Sequence, residues 1–154
     1  FVQSGIPVLY SGDEIGQLND YSYHEDPDKC QDSRYIHRGR FQWDRAEERK
    51  EKGTLQNQIF ETLGMMEELR ARYAVFEGSA DVWTLDTWDD SILGVGRWLN
   101  GEKLIALFNF SGQDKVAWIN EDDGQYTDLL TGAVMEAKAV QIPAYGIWWL
   151  YKKF

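Results

Sequence analysis

Two short groups of charged side chains in the first forty residues have the types and spacing that could support chemistry. The first is the adjacent pair Asp13-Glu14, and the second is the run Asp32-Ser-Arg-Tyr-Ile-His-Arg38. Two carboxylates can act as an acid and a base, but in a glycosidase they face each other at about 5 to 9 Å across the scissile bond. Adjacent residues rarely aim at one bond, so we expect Asp13-Glu14 to shape a loop.

Within the second group, Arg34 has planar donors that can pair with a carboxylate through two bonds and still hold a sugar hydroxyl. A solvated charge cluster is the alternative interpretation, and the residues alone leave both open. His24 and His37 have no metal-like spacing, and Cys30 is the single cysteine. We therefore predict no metal site, no disulfide and no cofactor.

The chain is rich in aromatic residues, with seven Trp and eight Tyr. Such rings can fill a β-sheet core or form platforms on which sugars stack. Trp148 and Trp149 are consecutive in a predicted strand, so they must point to opposite faces, one into the core and one partly exposed. The exposed ring could bind α-glucan or contact a neighbouring domain, and the sequence leaves both open.

The elements before residue 77 indicate the end of an α/β barrel. Ile6-Pro-Val-Leu-Tyr10 followed by Ser11-Gly-Asp-Glu-Ile-Gly16 is typical of a buried parallel strand that runs into a loop. Seven partner strands would be needed, and the sequence does not contain them. Gln17 to Gly53 is polar and irregular, which favours a functional loop.

A helix is predicted after this loop, from an N-cap at Thr54 to a point near Tyr73. Its apolar positions are spaced by threes and fours at Leu55, Ile59, Leu63, Met66 and Leu69.

From Asp81 onward short apolar or alternating runs predict an antiparallel β-sandwich. The predicted strands are Val82–Thr87, Ile92–Trp98, Lys103–Phe110, Lys115–Ile119, Gln125–Asp128, Ala137–Ile142 and Gly146–Tyr151. Leu99-Asn-Gly-Glu102 predicts a tight hairpin and Asp123-Gly124 a turn. The predicted fold class is thus mixed: residues 1–76 form the last strand, loop and helix of a (β/α)8 barrel, and residues 77–154 form the C-terminal β-sandwich.

Charge excludes several classes of partner. Acidic residues outnumber basic ones by 26 to 16, giving a formal charge of −10, so nucleic acid and anionic membranes are disfavoured while a neutral sugar meets no penalty. No run approaches the roughly 20 apolar residues of a membrane-spanning helix. The sequence starts at Phe1 with neither an initiator Met nor a signal peptide, so we expect preceding residues to be missing. The cellular compartment therefore stays open.

The segment Ser4-Gly-Ile-Pro-Val-Leu-Tyr-Ser-Gly-Asp-Glu-Ile-Gly16 resembles the last barrel strand and loop of the α-amylase superfamily, glycoside hydrolase family 13. Together with Leu18-Asn-Asp20 and Asp32-Ser-Arg-Tyr-Ile-His-Arg-Gly-Arg40 it is similar to the amylosucrase branch. The resemblance continues by pattern through Leu107-Phe-Asn-Phe-Ser111 to Pro143-Ala-Tyr-Gly-Ile-Trp-Trp-Leu150. Members of that branch carry Trp and Pro where this chain has Tyr35 and Gly39, which bears on acceptor preference.

The resemblance implies a retaining α-glucosyl transfer from sucrose to α-glucan with release of fructose. It places the catalytic carboxylates on earlier barrel strands, so none is expected in this chain and the missing barrel portion is an expected partner. Arg34 would help to hold the glucosyl unit, paired with a barrel aspartate, and Asp13, Glu14, Asp32 and His37 would support it. The alternatives are a sucrose or α-glucoside hydrolase of the same superfamily, a non-catalytic α-glucan-binding module, and an appendage that only adds stability.

Overall fold

The computed structural model describes residues 1–121 and 124–154, so the turn predicted at Asp123-Gly124 lies partly outside the described residues. The chain forms two compact units. The larger unit contains Phe1–Pro7 and Met65–Phe154, and the smaller contains Val8–Gly64. Helix α1 covers Trp43–Glu47, and helix α2 covers Leu55–Arg72 with the unit boundary inside it.

Two antiparallel sheets build the larger unit. The six-stranded sheet has the order β1-β2-β3-β8-β5-β6, and the two-stranded sheet pairs β4 with β7. The strands are β1 Asp81–Leu85, β2 Ile92–Leu99, β3 Glu102–Asn109, β4 Lys115–Trp118, β5 Gln125–Asp128, β6 Val134–Glu136, β7 Ala139–Ile142 and β8 Ile147–Lys153.

Strand β3 lies at the centre and has both faces buried. Its side chains alternate between two cores, with Ile105 and Leu107 in one and Leu104 and Ala106 in the other, as the two-residue period of a strand requires. The first core lies between the two sheets and includes residues of β4 and β7. This confirms an antiparallel, sheet-rich domain in which a second sheet packs on the first.

The second core covers the opposite face of the six-stranded sheet. It contains Leu69 from the last turns of α2, Val75 and Phe76 from a short 3-10 turn, and Val2 from the first residues of the chain. The six-stranded sheet is therefore covered on both faces, once by sheet and once by helical and extended segments.

The hairpin between β2 and β3 confirms the prediction made from Asn100-Gly101. Their φ angles are 49° and 81°, and two successive residues with positive φ are what a type I′ turn needs. Leu99 pairs with Glu102 across the turn. The turn fixes the register of the two strands that carry most of the core.

One strand was missed by the sequence reasoning. Val134–Glu136 forms β6 on the edge of the large sheet, and the strand predicted from Ala137 begins only at Ala139. Three residues are too short for an alternating pattern to separate them from the neighbouring run.

The smaller unit consists of short helical turns. They lie at Asp13–Ile15, Tyr21–Glu25, Ser33–His37 and Glu48–Lys50, beside α1 and the first part of α2. Ile15, Tyr23 and Ala46 are buried. The segment predicted to be irregular is thus built largely of turns that cap their own ends with Asp side chains, as at Asp20 and Asp32.

The segment predicted to be a barrel strand is not paired as a strand among the described residues. The segment from Ile6 to Tyr10 lies in no strand, and the side chains of Ile6 and Val8 are 89% and 85% exposed. A parallel strand obtains its hydrogen bonds from neighbouring strands, and no described segment pairs with this one.

Helix α2 confirms the predicted helix and its cap. The Asn57 backbone N–H donates to Thr54 Oγ1 at 3.1 Å, which satisfies one of the free amides of the first turn. Of the predicted apolar stripe, Leu69 is buried and Leu55 is 58% exposed.

A buried arginine joins the first residues of the chain to the large sheet. Arg97 on β2 is 1% exposed. Its guanidinium donates to the carbonyl oxygens of Val75 at 2.7 Å, Val2 at 2.9 Å, Glu77 at 2.9 Å and Gln3 at 3.2 Å. Burial and, secondarily, the charge of Arg70 lower the pKa of Arg97. The carbonyl oxygens thus satisfy the buried guanidinium, and the guanidinium holds in place the backbone segments that carry them.

We expect Arg97→Met to lower the free energy of unfolding by about 3 kcal/mol, because it leaves several buried carbonyls without a donor. Urea unfolding followed by tryptophan fluorescence measures this. Arg72→Met, which changes an exposed arginine at the end of α2, is the control and should have little effect. Equal stability of the two variants would contradict a structural role for Arg97.

Candidate functional site

The loop that follows Tyr10 is folded by its own two carboxylates. Asp13 Oδ2 accepts from the Tyr10 N–H at 3.1 Å, and Glu14 Oε2 accepts from the Gly12 N–H at 2.8 Å. Gly12 has a φ of 104°, a left-handed conformation that favours glycine. Both side chains therefore bond to the backbone of a single turn, and they do not face each other across a cleft.

Arg34 and Asp32 form a two-bond ion pair. Nε of Arg34 donates to Oδ1 of Asp32 at 2.8 Å and Nη2 donates to Oδ2 at 2.7 Å. The Arg34 backbone N–H also donates to Oδ1 at 3.0 Å, so Asp32 caps the 3-10 turn Ser33–His37. The sequence interpretation gave Arg34 a partner aspartate on a barrel strand. In the structure its carboxylate partner is Asp32, two residues earlier.

The pair strongly perturbs the carboxyl group. The hydrogen bond from the Arg34 side chain, followed by that from its backbone N–H, lowers the pKa of Asp32 to about 2. The same contact raises the pKa of Arg34. Asp32 is therefore ionised at any neutral or mildly acidic pH, and the pair is lost only as the pH falls toward 2.

Arg34 lines an open groove of about 400 Å³ in the smaller unit. The other lining residues are Tyr10, Asp13, His37 and Arg38. The groove thus brings together Asp13, Arg34 and His37, which were named from the sequence. Glu14 and Asp32 do not line it: Glu14 accepts from the Gly12 N–H, and Asp32 holds the Arg34 side chain. Nε and Nη2 form the one edge of the guanidinium that binds Asp32, and the Arg34 side chain is otherwise largely exposed.

His37 is oriented by a neighbour from the preceding loop. Its Nδ1 lies 3.0 Å from Oδ1 of Asn19. Tyr10 and Arg38 line the groove but were not selected from the sequence. Arg38 could have been selected from the sequence, because it ends the charged run that begins at Asp32. No local pattern distinguishes Tyr10.

A second cavity of about 510 Å³ lies in the same unit and shares Arg38 with the groove. It also contains Asp20, Asp26, Lys29 and Tyr35. The Tyr35 ring has Arg38 at 5.6 Å and Lys29 at 5.9 Å from its centroid, both within the range of a cation–π contact. Charges of both signs and aromatic rings surround these two depressions, which suits a polar, uncharged ligand.

Among residues 1–121 and 124–154, no group of three or more His, Cys, Asp or Glu side chains could hold a metal ion. No helix in the described part of the chain is long and apolar enough to cross a membrane.

No family model matches the sequence. Among solved structures, an AmyP variant in complex with maltotriose superposes with a TM-score of 0.76 and 18% identity over 97% of this chain. A maltogenic amylase from S. marinus gives 0.60 and 23% over 96%, and AmyP in complex with maltose gives 0.57 and 16% over 64%.

These likenesses concern the fold. This chain spans 32% of the maltotriose-bound AmyP variant, 17% of the S. marinus enzyme and 21% of the maltose-bound AmyP. It therefore shares its fold with a part of each of these much longer chains.

We expect Arg34→Ala to raise the pKa of Asp32 from about 2 toward the ordinary aspartate value of about 4, because the side-chain hydrogen bonds from Arg34 to the carboxylate are removed. Carboxyl-selective NMR titration measures this. Arg38→Ala is the matched control, since Arg38 is the smallest contributor and should change the pKa much less. A pKa unaffected by Arg34→Ala would show that the ion pair does not persist in solution.

Proposed function

We propose that the chain is the C-terminal part of a retaining α-glucosyl-transferring enzyme of the α-amylase superfamily. Residues 1–76 would belong to the end of its catalytic barrel and residues 77–154 to its C-terminal sandwich. The fold likeness to amylases over 97% and 96% of the chain supports this proposal. So does the sequence Gly12-Asp-Glu-Ile-Gly16 in the loop that forms one wall of the groove.

The observation that carries the proposed function is the Asp32–Arg34 pair at the groove. A guanidinium held along one edge by two bonds to a carboxylate has few orientations left, so its remaining donors point in a fixed direction. In the parent enzyme these donors would hold hydroxyls of the glucosyl unit, with His37 and Asp13 beside them. The catalytic carboxylates would come from barrel strands outside this sequence.

The substrate class is an uncharged glucoside. The structural neighbours were solved with maltose and maltotriose, which makes α-glucan the natural acceptor or product class. Sucrose as the donor rests on the combination of the Gly12–Asp20 and Asp32–Arg40 segments, which is similar to amylosucrases. The formal charge of −10 agrees with a substrate that carries no phosphate.

A second candidate is hydrolysis of α-glucans, favoured by the amylase neighbours. Incubation of the full-length parent with sucrose separates the two. The proposed transferase releases more free fructose than free glucose, whereas an enzyme that hydrolyses only α-glucans releases neither. Equal release of both sugars would indicate a sucrose hydrolase and would refute transfer. Hydrolysis of maltotriose without any action on sucrose would refute the sucrose proposal and favour the amylase alternative.

In the full-length parent we expect Arg34→Ala to lower kcat/KM for sucrose by about 100- to 1000-fold, the effect of lost positioning and hydrogen bonding at one sugar unit. Initial-rate kinetics measure this, and circular dichroism checks that the variant is folded. Lys52→Ala is the control, because it removes an exposed cation that does not line the groove. Wild-type kcat/KM in Arg34→Ala would refute the role of Arg34.

A further inference from the structure

The larger unit has a cavity of its own, of about 410 Å³, beside the two-stranded sheet. A depression of this size falls in the range of small-molecule sites. Its lining includes Asp114, Lys115, Val116, Gln141, Pro143 and Trp148. None of these residues belongs to the Arg34 groove, so the cavity calls for a separate explanation.

The aromatic wall of the cavity is held in place. Trp148 on β8 is half-buried, and its Nε1–H donates to the Gln141 backbone oxygen at 2.9 Å. Its neighbour Trp149 is 1% exposed in the core on the opposite face of the sheet. The alternation predicted for these two tryptophans is confirmed. The ring of Trp148 therefore has one fixed orientation and part of its surface open to the cavity.

The rim of the cavity is also fixed, by a buried amide. Asn109, which is 3% exposed, donates from Nδ2 to the carbonyl oxygens of Gln113 at 2.7 Å and Pro143 at 2.9 Å. Asp114 Oδ1 accepts from the Ala144 N–H at 2.9 Å, which joins the two rim segments again. Because both segments are tied together, the cavity is formed before any ligand binds.

The polar groups of the cavity suit a hydroxylated, uncharged ligand. Lys115 Nζ donates to Asp89 Oδ2 at 3.0 Å, so its charge is already balanced, and the carboxylate of Asp114 disfavours an anion. The exposed amide of Gln141 can donate and accept. A flat aromatic surface next to such groups matches a sugar ring, with its apolar face and its rim of hydroxyls.

A second tryptophan extends the same surface. Trp118 lies two residues beyond Val116 on the outer face of the two-stranded sheet and is 59% exposed. Its cross-strand partner is Ala139, whose small side chain leaves the sheet open opposite the ring. Two residues along a strand span about 7 Å. A ligand longer than one sugar could therefore reach from the cavity to Trp118.

We propose that this surface, formed by the cavity around Trp148 and by Trp118, binds an α-glucan chain independently of the Arg34 groove. The choice of an α-linked glucan rests on the proposed function, whereas the cavity and its chemistry do not. Binding here would hold polymeric glucan close to the enzyme without contacting the reacting bond.

The first test titrates the 154-residue chain with maltoheptaose, following the indole N–H signal of Trp148 by NMR. We expect that signal to shift on binding. Val116→Arg places a long charged side chain in the cavity at a position that is already 37% exposed, and it should weaken binding at least tenfold. Val134→Arg is the matched control, because Val134 is 58% exposed on strand β6 outside the cavity, and its binding should stay within about twofold of wild type.

Trp118→Ala should weaken maltoheptaose binding severalfold while leaving the cavity signals produced by glucose unchanged, since a single sugar does not reach Trp118. Binding of maltoheptaose that is equal in Val116→Arg and wild type, or no shift of Trp148, would overturn the proposal. A Val116→Arg variant that binds maltoheptaose normally but destabilises the full-length parent would assign the surface to contact with another domain.

The outcome is separable from that of the proposed function. Val116→Arg in the full-length parent should leave turnover of soluble sucrose unchanged, because the cavity lies outside the Arg34 groove. If the parent does not act on sucrose but the chain binds maltoheptaose at Trp148, the donor assignment fails and this inference stands.

Discussion

The larger unit depends on the burial of strand β3 from both faces. Leu104, Ile105, Ala106 and Leu107 are all 0% exposed, so each face of the strand needs its own cover. Burying apolar side chains is the main favourable term in folding, and a sheet with one uncovered face would lose half of that contribution here. The two-stranded sheet covers one face, and the end of α2 with the first residues of the chain covers the other.

The segments that cover the two faces of β3 determine where polar groups must be buried. The cover over the second core places backbone carbonyls above the sheet, and Arg97 satisfies four of them. Asp128, 0% exposed, similarly accepts from the Trp149 N–H and from Thr131. Asn109 does the same for the rim of the cavity. A buried polar group that bonds to several backbone atoms fixes one arrangement of the segments it joins.

The two-stranded sheet also creates a new outer face. Its inner residues, such as Ala117 and Val140, complete the first core. Alternation then forces Val116, Trp118 and Gln141 outward. The surface proposed to bind glucan is thus a direct consequence of the cover that β3 requires.

The sequence predicted the parts of the fold that depend on local signals. The hairpin at Asn100-Gly101, the cap at Thr54 and the opposite faces of Trp148 and Trp149 follow from turn chemistry, capping and alternation. The predicted barrel strand stays a prediction, because its pairing depends on other strands that this sequence does not contain. Strand β6 failed because three residues give too little periodicity.

The sequence indicated candidate residues for a site but not the contacts that they make. Asp13, Arg34 and His37 were named from the family resemblance, and they line one groove. The resemblance also implied a partner for Arg34 on a barrel strand, whereas the structure pairs Arg34 with Asp32. Asp32 caps its turn by accepting from the Arg34 backbone N–H, and this places its carboxylate within reach of the Arg34 side chain. The contact depends on the φ and ψ angles of the turn, which the sequence does not specify. The cavity at Trp148 was beyond the sequence for a similar reason, since its wall and rim come from β4, β7 and β8.

The exposure of the Asp32–Arg34 pair bears on its purpose. The Arg34 side chain is 72% exposed, and ion pairs at such positions contribute little to stability because water and salt screen them. The main effect of such a pair is to restrain the direction of the guanidinium. The long side chain of a free arginine samples many rotamers, and fixing them in advance removes an entropy cost that ligand binding would otherwise carry. The proposal that Arg34 holds a ligand is therefore supported by its restrained side chain and by its place on a groove that His37 and Asp13 also line.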